Sequence, residues 1–376
     1  MNMNMAKYDR NDPYNALPLL PAPPAVDNDV DILKRLVKAS RALATVNSNV
    51  LRLPNPDMLI NTIGLQEAKT STAIENIFTT EDELYRAISD TAGNDRTNPA
   101  TKEVLRYREA LWGGYQSLEQ QQSIDLDLIT RIFQQIKDTK GGLRPSQSLV
   151  VIKRGDSEVK PGEIIYTPPR GEHIVERLVE NLISYLNDDV KYPTDPLLKM
   201  CIAHYQFEAI HPFHDGNGRT GRILNLLYLV NKGLLSRPVL YLSKYIIQNK
   251  NEYYYNLAGV TQRLAWKNWI LYMLDAVEST SMITNDLINQ TVKQMEITLE
   301  HGRKYIKWYN KDVNEALFSQ PYSRPKIIGN VLKKSSRTTL TKYMDQLVKA
   351  KILTPKREGK EVYYLNDDLI RILRIG

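Results

Sequence analysis

Residues 211–222 of the chain read HPFHDGNGRTGR and combine a histidine, a carboxylate, closely spaced glycines and two arginines. The apolar run 197–210, LLKMCIAHYQFEAI, precedes them and a second apolar run follows, so we interpret the stretch as a loop that joins two helices. Gly216 and Gly218 flank Asn217 and allow the backbone to turn tightly and to aim its N–H groups at one point. A nest of this kind at a helix N-terminus binds anions.

The charged residues of the same stretch predict a site for a nucleotide polyphosphate. Arg219 and Arg222 lie three positions apart, so they share one helix face and can reach separate phosphate oxygens. Asp215 is a hard oxygen ligand of the type that holds Mg²⁺ together with phosphates. His211 is the obvious general base, because a histidine titrates near neutral pH. The stretch is neither a Walker A loop, since it lacks Gly-Lys-Ser/Thr, nor a dinucleotide fingerprint, since no strand precedes it and its third glycine is misplaced.

Helical periodicity dominates the rest of the chain and predicts a mostly α-helical fold. Two extended runs, 148–153 and 163–167, enclose a polar turn-like segment at 155–162 and predict a β-hairpin within this helical protein. Helices are predicted at 29–46, 58–78, 81–92, 98–120, 126–137, 172–186, 195–210, 219–232, 245–258, 266–280 and 285–309.

Composition excludes several classes of protein. The 376 residues are 42% hydrophobic and 25% charged, which is typical of a globular chain of two or three domains and excludes a disordered or collagen-like one. The single cysteine, Cys201, excludes an internal disulfide and a cysteine-based metal site. It fits a reducing compartment, and we expect a cytoplasmic protein. No apolar run approaches the ~20 residues of a membrane span, and the N-terminus lacks the apolar core of a signal peptide.

The stretch 211–222 matches the signature of the Fic family, HPFx(D/E)GNGRxxR, at every specified position. The lead-in 197–210, the segment 142–169 and the run 241–257 also resemble this family, so that the resemblance covers roughly residues 30–280. It implies a Fic-type helical core with a β-hairpin flap. Most Fic proteins transfer AMP from ATP to a Ser, Thr or Tyr hydroxyl of a protein, which makes ATP and Mg²⁺ the implied substrate and metal ion.

The resemblance also implies roles for individual residues. His211 would take the proton from the target hydroxyl, and Asp215 would hold Mg²⁺. Asn217 would orient the α-phosphate, while Phe213 would be an apolar anchor. Arg219 and Arg222 would bind the β- and γ-phosphates, and Tyr253 and Tyr254 would contact the adenine. The hairpin residues Ile164, Ile165 and Tyr166 would lie over the site and hold the target as an added strand. The nucleotide-binding residues that the motif implies are Asp215, Gly216, Asn217, Gly218, Arg219, Thr220, Gly221 and Arg222.

A second motif lies upstream, where residues 71–76 read STAIEN and match the inhibitory helix pattern of the family, (S/T)xxxE(G/N). The match implies that Glu75 pairs with Arg222. Because Arg222 cannot hold Glu75 and the γ-phosphate together, ATP would bind in an unproductive pose. Ser71 would fix the helix by a hydrogen bond.

The C-terminal fifth of the chain carries the basic charge. From residue 301 to the C-terminus there are 17 Lys and Arg against 7 Asp and Glu, whereas the remainder is slightly acidic. Predicted helices at 324–332 and 338–350, followed by extended runs at 352–356 and 362–365, resemble a winged helix-turn-helix. Arg337 and Lys342 lie on its candidate recognition helix. The pattern leaves open whether this domain contacts DNA or protein.

These observations predict four parts: a Pro-rich extended arm at 1–27, an N-terminal helical region with the inhibitory helix at 28–110, a Fic catalytic core at 111–284, and a linker helix with a winged-helix domain at 285–376. The predicted activity is autoinhibited protein adenylyl transfer without a membrane partner. Removal of AMP, transfer of another nucleotide, and a DNA-binding regulator with a nucleotide-sensing core remain alternatives. The sequence leaves open the target, the type of hydroxyl, self-modification and a homodimer.

Overall fold

A computed structural model describes residues 8–51, 53, 55–89, 97–154, 162–359 and 361–375. Helices dominate these residues, as predicted. They are α1 Val30–Leu51, α2 Met58–Ile74, α3 Glu81–Ser89, α4 Pro99–Gln121, α5 Leu126–Lys137, α6 Ile174–Asn187, α7 Pro196–Ile210, α8 Asn217–Asn231, α9 Leu242–Gln248, α10 Lys250–Arg263, α11 Trp266–Tyr305, α12 Lys311–Phe318, α13 Pro325–Leu332, α14 Arg337–Lys349 and α15 Asp367–Ile375.

Two small antiparallel sheets accompany the helices. Strands β1 (Ile152–Arg154) and β2 (Glu163–Tyr166) form the predicted hairpin, with Lys153 opposite Ile164 and a bulge at Ile152/Lys153. Near the C-terminus, β3 (Tyr322–Ser323), β4 (Thr354–Glu358) and β5 (Glu361–Leu365) form a sheet in the order β3-β5-β4. The order α13, α14, β4, β5 reproduces the helices and hairpin of the predicted winged helix.

The predicted strand 148–153 is wrong in its position. Pairing begins only at Ile152, because Ser148 closes a turn by donating its N–H to Pro145 O at 2.9 Å. Leu149 is 81% exposed and therefore lacks the packing that stabilises a strand. The second predicted run, 163–167, is confirmed as β2. The predicted turn at 155–162 lies outside the described residues except for Gly162.

Several helix predictions also need correction, and α1 ends at Leu51 rather than at 46. The segment 245–258 belongs to two helices, α9 and α10, which are separated at Asn249 by a backbone conformation outside the helical region. The predicted helices 266–280 and 285–309 are one helix, α11, because 281–284 contains neither Gly nor Pro and its polar residues Ser281 and Thr284 are fully buried. Helix α2 ends at Ile74 rather than 78, with Asn76 in the left-handed region at φ 62°.

The chain divides into two compact units. One comprises residues 1–43, 109–234 and 245–278, and the other comprises 44–108, 235–244 and 279–376. The domain limits drawn from the sequence stay a prediction. Within the described residues, no helix is both long enough and apolar enough to cross a bilayer.

Helix α7 is the centre of the first unit. Every residue from Leu197 to Ile210 is buried, so this helix has no solvent-facing side. It packs on α6 and α8, and Trp269 of α11 donates its indole N–H to the Cys201 carbonyl at 2.7 Å. Gly221 lets α8 approach α7 closely, because a Cβ at this position would lie 2.6 Å from Glu208 Oε1.

The core of the second unit lies around the C-terminal helices, where a buried apolar cluster joins the end of α11 to α12, α13 and α14. Helix α3 is attached to the C-terminal sheet by ion pairs of Asp82 with Lys356 and of Arg86 with Glu358. The fully buried members of the cluster are Ile306, Tyr309, Val313, Leu317, Ile328, Met344, Leu347 and Leu353.

We expect Gly221→Ala to lower the free energy of unfolding by about 1–3 kcal/mol, because the added methyl would also lie 3.0 Å from Phe207 Cδ1. Gly113 in α4 is the matched control. Nothing lies within 4 Å of a Cβ added there, so Gly113→Ala is expected to raise the free energy by about 0.5–1 kcal/mol. Denaturant unfolding of both variants measures the difference, and equal stability of the two would contradict the close packing of α7 on α8.

A buried histidine of α7 predicts a pH dependence of stability. Burial, assisted by the charge of Arg222, lowers the pKa of His204 from 6.5 to about 3. Below pH 6.5 the unfolded chain therefore binds a proton that the folded chain does not, and stability falls as the pH decreases toward 3. The stability advantage of the wild type over His204→Gln should shrink by about 1.4 kcal/mol between pH 7.5 and 5.5. Parallel unfolding free energies at the two pH values would refute the buried neutral state.

Candidate active site

His211 lies where α7 ends and caps the helix in the left-handed conformation, with φ 51° and ψ 59°. Its N–H closes the last turn on Phe207 O at 2.9 Å. This conformation is unusual for a residue with a side chain, so the surrounding structure must stabilise it. The backbone turn directs the chain from α7 into the loop 211–216.

Two side chains make this loop rigid. The Asn217 amide accepts the N–H of Phe213 at 2.9 Å and donates to the carbonyl of the same residue at 2.9 Å. Phe213 is fully buried, as predicted, and stacks on Phe133 with 4.1 Å between the ring centroids. Asn217 therefore fixes the loop by bonding both backbone groups of Phe213. Its contact with the α-phosphate stays a prediction.

Helix α8 starts directly after Gly216, which has φ 77° and caps its N-terminus. Arg219 and Arg222 in the first turns are 2% and 1% exposed, which places two guanidinium groups in a region of low dielectric constant. The free N–H groups and the positive dipole end of a helix add to this positive potential. The arrangement favours a multiply charged anion.

Two residues of α8 that belong to the same motif stabilise the helix itself. The Thr220 hydroxyl donates to Gly216 O at 2.9 Å, and Gly221 packs against α7. Their assignment to nucleotide binding stays a prediction.

Asp215, the predicted metal ligand, lies in the loop directly before α8. Its side chain is 66% exposed and lies 2.5 Å from Lys137 Nζ. Burial raises the pKa of this carboxyl, but the Lys137 ammonium, the Gly216 N–H and Arg219 together lower it more, so the pKa lies below its usual value and the group is ionised at neutral pH. Among the described residues no three His, Cys, Asp or Glu side chains form a metal cluster. One carboxylate with water and phosphate oxygens suits Mg²⁺, so the donor set fits this ion.

The hairpin is connected to both the end of α7 and the N-terminal arm. Tyr166 of β2 donates its hydroxyl to Ala209 O at 2.7 Å, two residues before His211. The arm follows β2, with Tyr8 donating to Ile165 O at 3.2 Å and Tyr14 N–H donating to Thr167 O at 3.0 Å. Sequence reasoning missed this contact, although the prolines of the arm indicated an extended segment. Ile164 and Ile165 are half-buried, and their contact with a target stays a prediction.

The tyrosine cluster on α10 points in three directions, as its helical spacing requires. Tyr253 is 2% exposed and its hydroxyl lies 2.9 Å from His204 Nε2, so it is part of the core. Tyr254 is partly exposed and packs edge-on against Tyr253, and Tyr255 is 61% exposed. The prediction that Tyr253 and Tyr254 line an adenine pocket is left untested. Sequence reasoning also missed the buried histidine of α7, His204.

The residues of the predicted inhibitory motif lie in the second unit. Ser71 is fully buried in α2, and Glu75 is the C-cap of that helix, partly exposed. Glu67 attaches α2 to its own unit by accepting the Ser243 N–H at 2.8 Å, and Thr70 adds a 2.7 Å hydrogen bond to Tyr241. The pairing of Glu75 with Arg222 remains a prediction.

Relatives of this chain have been described in animals. It is 36% identical over 92 residues to a protein adenylyltransferase, fic-1, of Caenorhabditis briggsae, which covers 24% of this chain and 17% of that protein. It is 26% identical over 225 residues to the protein adenylyltransferase Fic of Drosophila grimshawi, covering 56% of this chain and 45% of the relative. The chain thus spans less than half the length of these two relatives.

Among solved structures, a Fic family protein from Desulfovibrio desulfuricans G20 has a TM-score of 0.56, covers 93% of this chain and 98% of its own, and is 20% identical. At this identity the likeness shows the fold alone. Three family models match successive parts of the sequence: "Fic/DOC family N-terminal" at 33–116, "Fic/DOC family" at 117–229, and "Protein adenylyltransferase SoFic-like, C-terminal domain" at 294–369. With the complete motif built into the loop between α7 and α8, these matches show that the chain belongs to the Fic/DOC family.

Proposed function

We propose that this protein transfers AMP from ATP to a hydroxyl side chain of a protein and that its N-terminal helix inhibits the reaction. The observation that carries the proposal is the loop 211–222, where one turn between two packed helices presents a histidine, an ionised carboxylate, a helix N-terminus and two buried arginines. The names of the relatives support the same activity.

The residues of the loop supply each requirement of the reaction. His211 accepts the proton of the target hydroxyl as its oxygen bonds to the α-phosphorus, and the bond to the pyrophosphate oxygen breaks. The N-terminal N–H groups of α8 stabilise the charge that develops on the phosphoryl oxygens. Arg219 and Arg222 bind the β- and γ-phosphates and compensate the leaving group. Mg²⁺ held by Asp215 would neutralise charge on the α- and β-phosphates.

The target would bind along the hairpin. A strand added to its edge is held by backbone hydrogen bonds, so that one enzyme accepts targets of loosely defined sequence. Ile164, Ile165 and Tyr166 lie on the strand that is tied to the end of α7. They are therefore connected to the backbone that carries His211.

Inhibition would act through Glu75. A carboxylate paired with Arg222 excludes the γ-phosphate from that guanidinium, and ATP then binds with its α-phosphate misplaced. The hydrogen bonds of Glu67 and Thr70 would hold α2 in place, together with Ser71. Removal of AMP by water that Glu75 positions is the alternative at the same site.

The C-terminal domain serves an intramolecular contact in this proposal rather than binding to DNA. Its wing strand β4 places Lys356 and Glu358 against Asp82 and Arg86 of α3. Because the wing is occupied by this contact, we expect the domain to bind protein rather than a DNA backbone.

The test is incorporation of label from α-labelled ATP into protein, with the chain alone and with cell lysate. We expect Glu75→Gly to raise incorporation by about 5–150-fold, because a coupling free energy of 1–3 kcal/mol is released. Adding His211→Ala to Glu75→Gly should reduce incorporation by about 10²–10⁴-fold through loss of the base. Glu75→Gln is the matched variant that removes only the charge, and it should also activate.

The controls separate the alternatives. Circular dichroism and ATP binding establish that each variant is folded. Unchanged or lower incorporation in folded Glu75→Gly contradicts inhibition, and absence of label in every folded, ATP-binding variant contradicts transfer. Loss of AMP removal in Glu75→Gly would instead support the hydrolytic alternative.

A further inference from the structure

The carbonyl groups at the end of α7 are hydrogen-bonded by the segment that surrounds the hairpin. The Ala209 carbonyl accepts from the Tyr166 hydroxyl. The next two, of Ile210 and His211, accept from the Arg144 guanidinium at 3.1 and 2.8 Å. The Pro212 carbonyl accepts from the Arg144 backbone N–H at 2.9 Å.

The Arg144 side chain is buried and held by hydrogen bonds at the end of α7. It is 2% exposed, and its guanidinium also donates to the carbonyl of Pro169, just beyond β2. Its partners are thus three backbone carbonyls from two segments. A cation at a helix C-terminus is stabilised by the negative end of the helix dipole, and a guanidinium can serve several acceptors at once because its donors are fixed in one plane.

We infer that Arg144 is a positioning residue that holds the backbone of His211 in its left-handed conformation and couples it to the base of the hairpin. The inference rests on the proposed role of His211 as the general base. Nε of Arg144 bonds directly to the His211 carbonyl. Without the guanidinium, the carbonyls of residues 169, 210 and 211 lose this donor, and the peptide units after α7 rotate to find others.

Rotation of these peptide units would displace the imidazole from the phosphate-binding end of α8. A displacement of about 1 Å costs roughly 10²-fold in rate when the reacting groups must be aligned. The nucleotide contacts belong to α8, and Arg144 bonds to none of their side chains in the described hydrogen bonds. Its loss should therefore lower kcat and leave ATP binding unchanged.

The experiment uses the full chain in the Glu75→Gly background and measures kcat, KM for ATP, and ATP affinity. Arg144→Ala should reduce kcat by about 10²-fold with KM within threefold of the parent. Arg144→Lys should be intermediate, since a point charge satisfies fewer carbonyls than a planar fork. Arg131→Ala is the matched control, because Arg131 is 44% exposed in α5 and pairs only with Asp127 and Gln121 in the described contacts.

Chemical rescue distinguishes positioning from general damage. Dilute guanidinium chloride should restore kcat of Arg144→Ala at least tenfold, whereas sodium chloride at equal ionic strength should not. A kcat of Arg144→Ala within twofold of the parent overturns the inference, as does a loss of ATP affinity that accounts for the whole decrease. If Arg144→Ala does not fold, a folded Arg144→Lys with the parent kcat overturns it.

A second readout does not depend on catalysis. Trypsin cleavage after Lys153 and Arg154 on β1 should be faster in Arg144→Ala than in Arg131→Ala, since the base of the hairpin has lost its tie to α7. If the Glu75→Gly parent transfers no AMP, the proposed function fails and this cleavage rate decides the coupling. Equal cleavage in the two variants then overturns the inference.

Discussion

The packing of α8 on α7 at Gly221 constrains everything that follows in the catalytic loop. Two helices that approach this closely leave six residues, 211–216, to reverse the chain, and the reversal uses two left-handed residues, His211 and Gly216. The first of these carries a side chain and is the candidate base. The second is glycine and frees the N-terminus of α8 for a ligand. The same turn therefore positions both the candidate base and the helix N-terminus that the proposed function assigns to the phosphates.

The arginines around this turn interact differently with the helix dipoles. Arg144 lies at the C-terminus of α7, where a cation is stabilised by the dipole and by the terminal carbonyls. Arg219 and Arg222 lie at the N-terminus of α8, where a cation is opposed by the dipole. Burial lowers the pKa of the Arg144 guanidinium, and the carbonyl groups compensate this cost without a ligand. The second arrangement raises the electrostatic potential, which Asp215 partly offsets at 3.8 Å from Arg219. In the proposed function a phosphate chain would offset it further.

Local sequence signals predicted the first and last residues of some helices correctly. Helix α5 was predicted at 126–137 and has these bounds in the structure, where the Asp125 carboxylate caps it by accepting the Leu128 N–H at 2.7 Å. The catalytic loop was recognised because its residues are contiguous. Predictions failed where tertiary packing overrides a local signal. Two helices were predicted at 266–280 and 285–309, but α11 continues through 281–284, where Ser281 and Thr284 are fully buried.

Long-range contacts of single residues had no sequence signal at all. Arg144 bonds to carbonyls 25, 66 and 67 positions away, and nothing in its neighbourhood distinguishes it from a solvated arginine. Tyr253 is similar, because adjacent tyrosines on a helix do not reveal which of them faces the core. In the structure it is Tyr253 that faces the core, where its hydroxyl contacts His204.

The position of Glu75 follows the same electrostatic logic as the arginines. It caps the C-terminus of α2, a helix whose last turn contains no basic residue, so the helix dipole opposes its charge. In the proposed inhibition, pairing with an arginine would offset this unfavourable interaction with the dipole. Because the last turn of a helix frays at little cost, such a carboxylate can also withdraw without unfolding α2. In the proposed inhibition, a carboxylate at this position would therefore combine a strong interaction with reversible release.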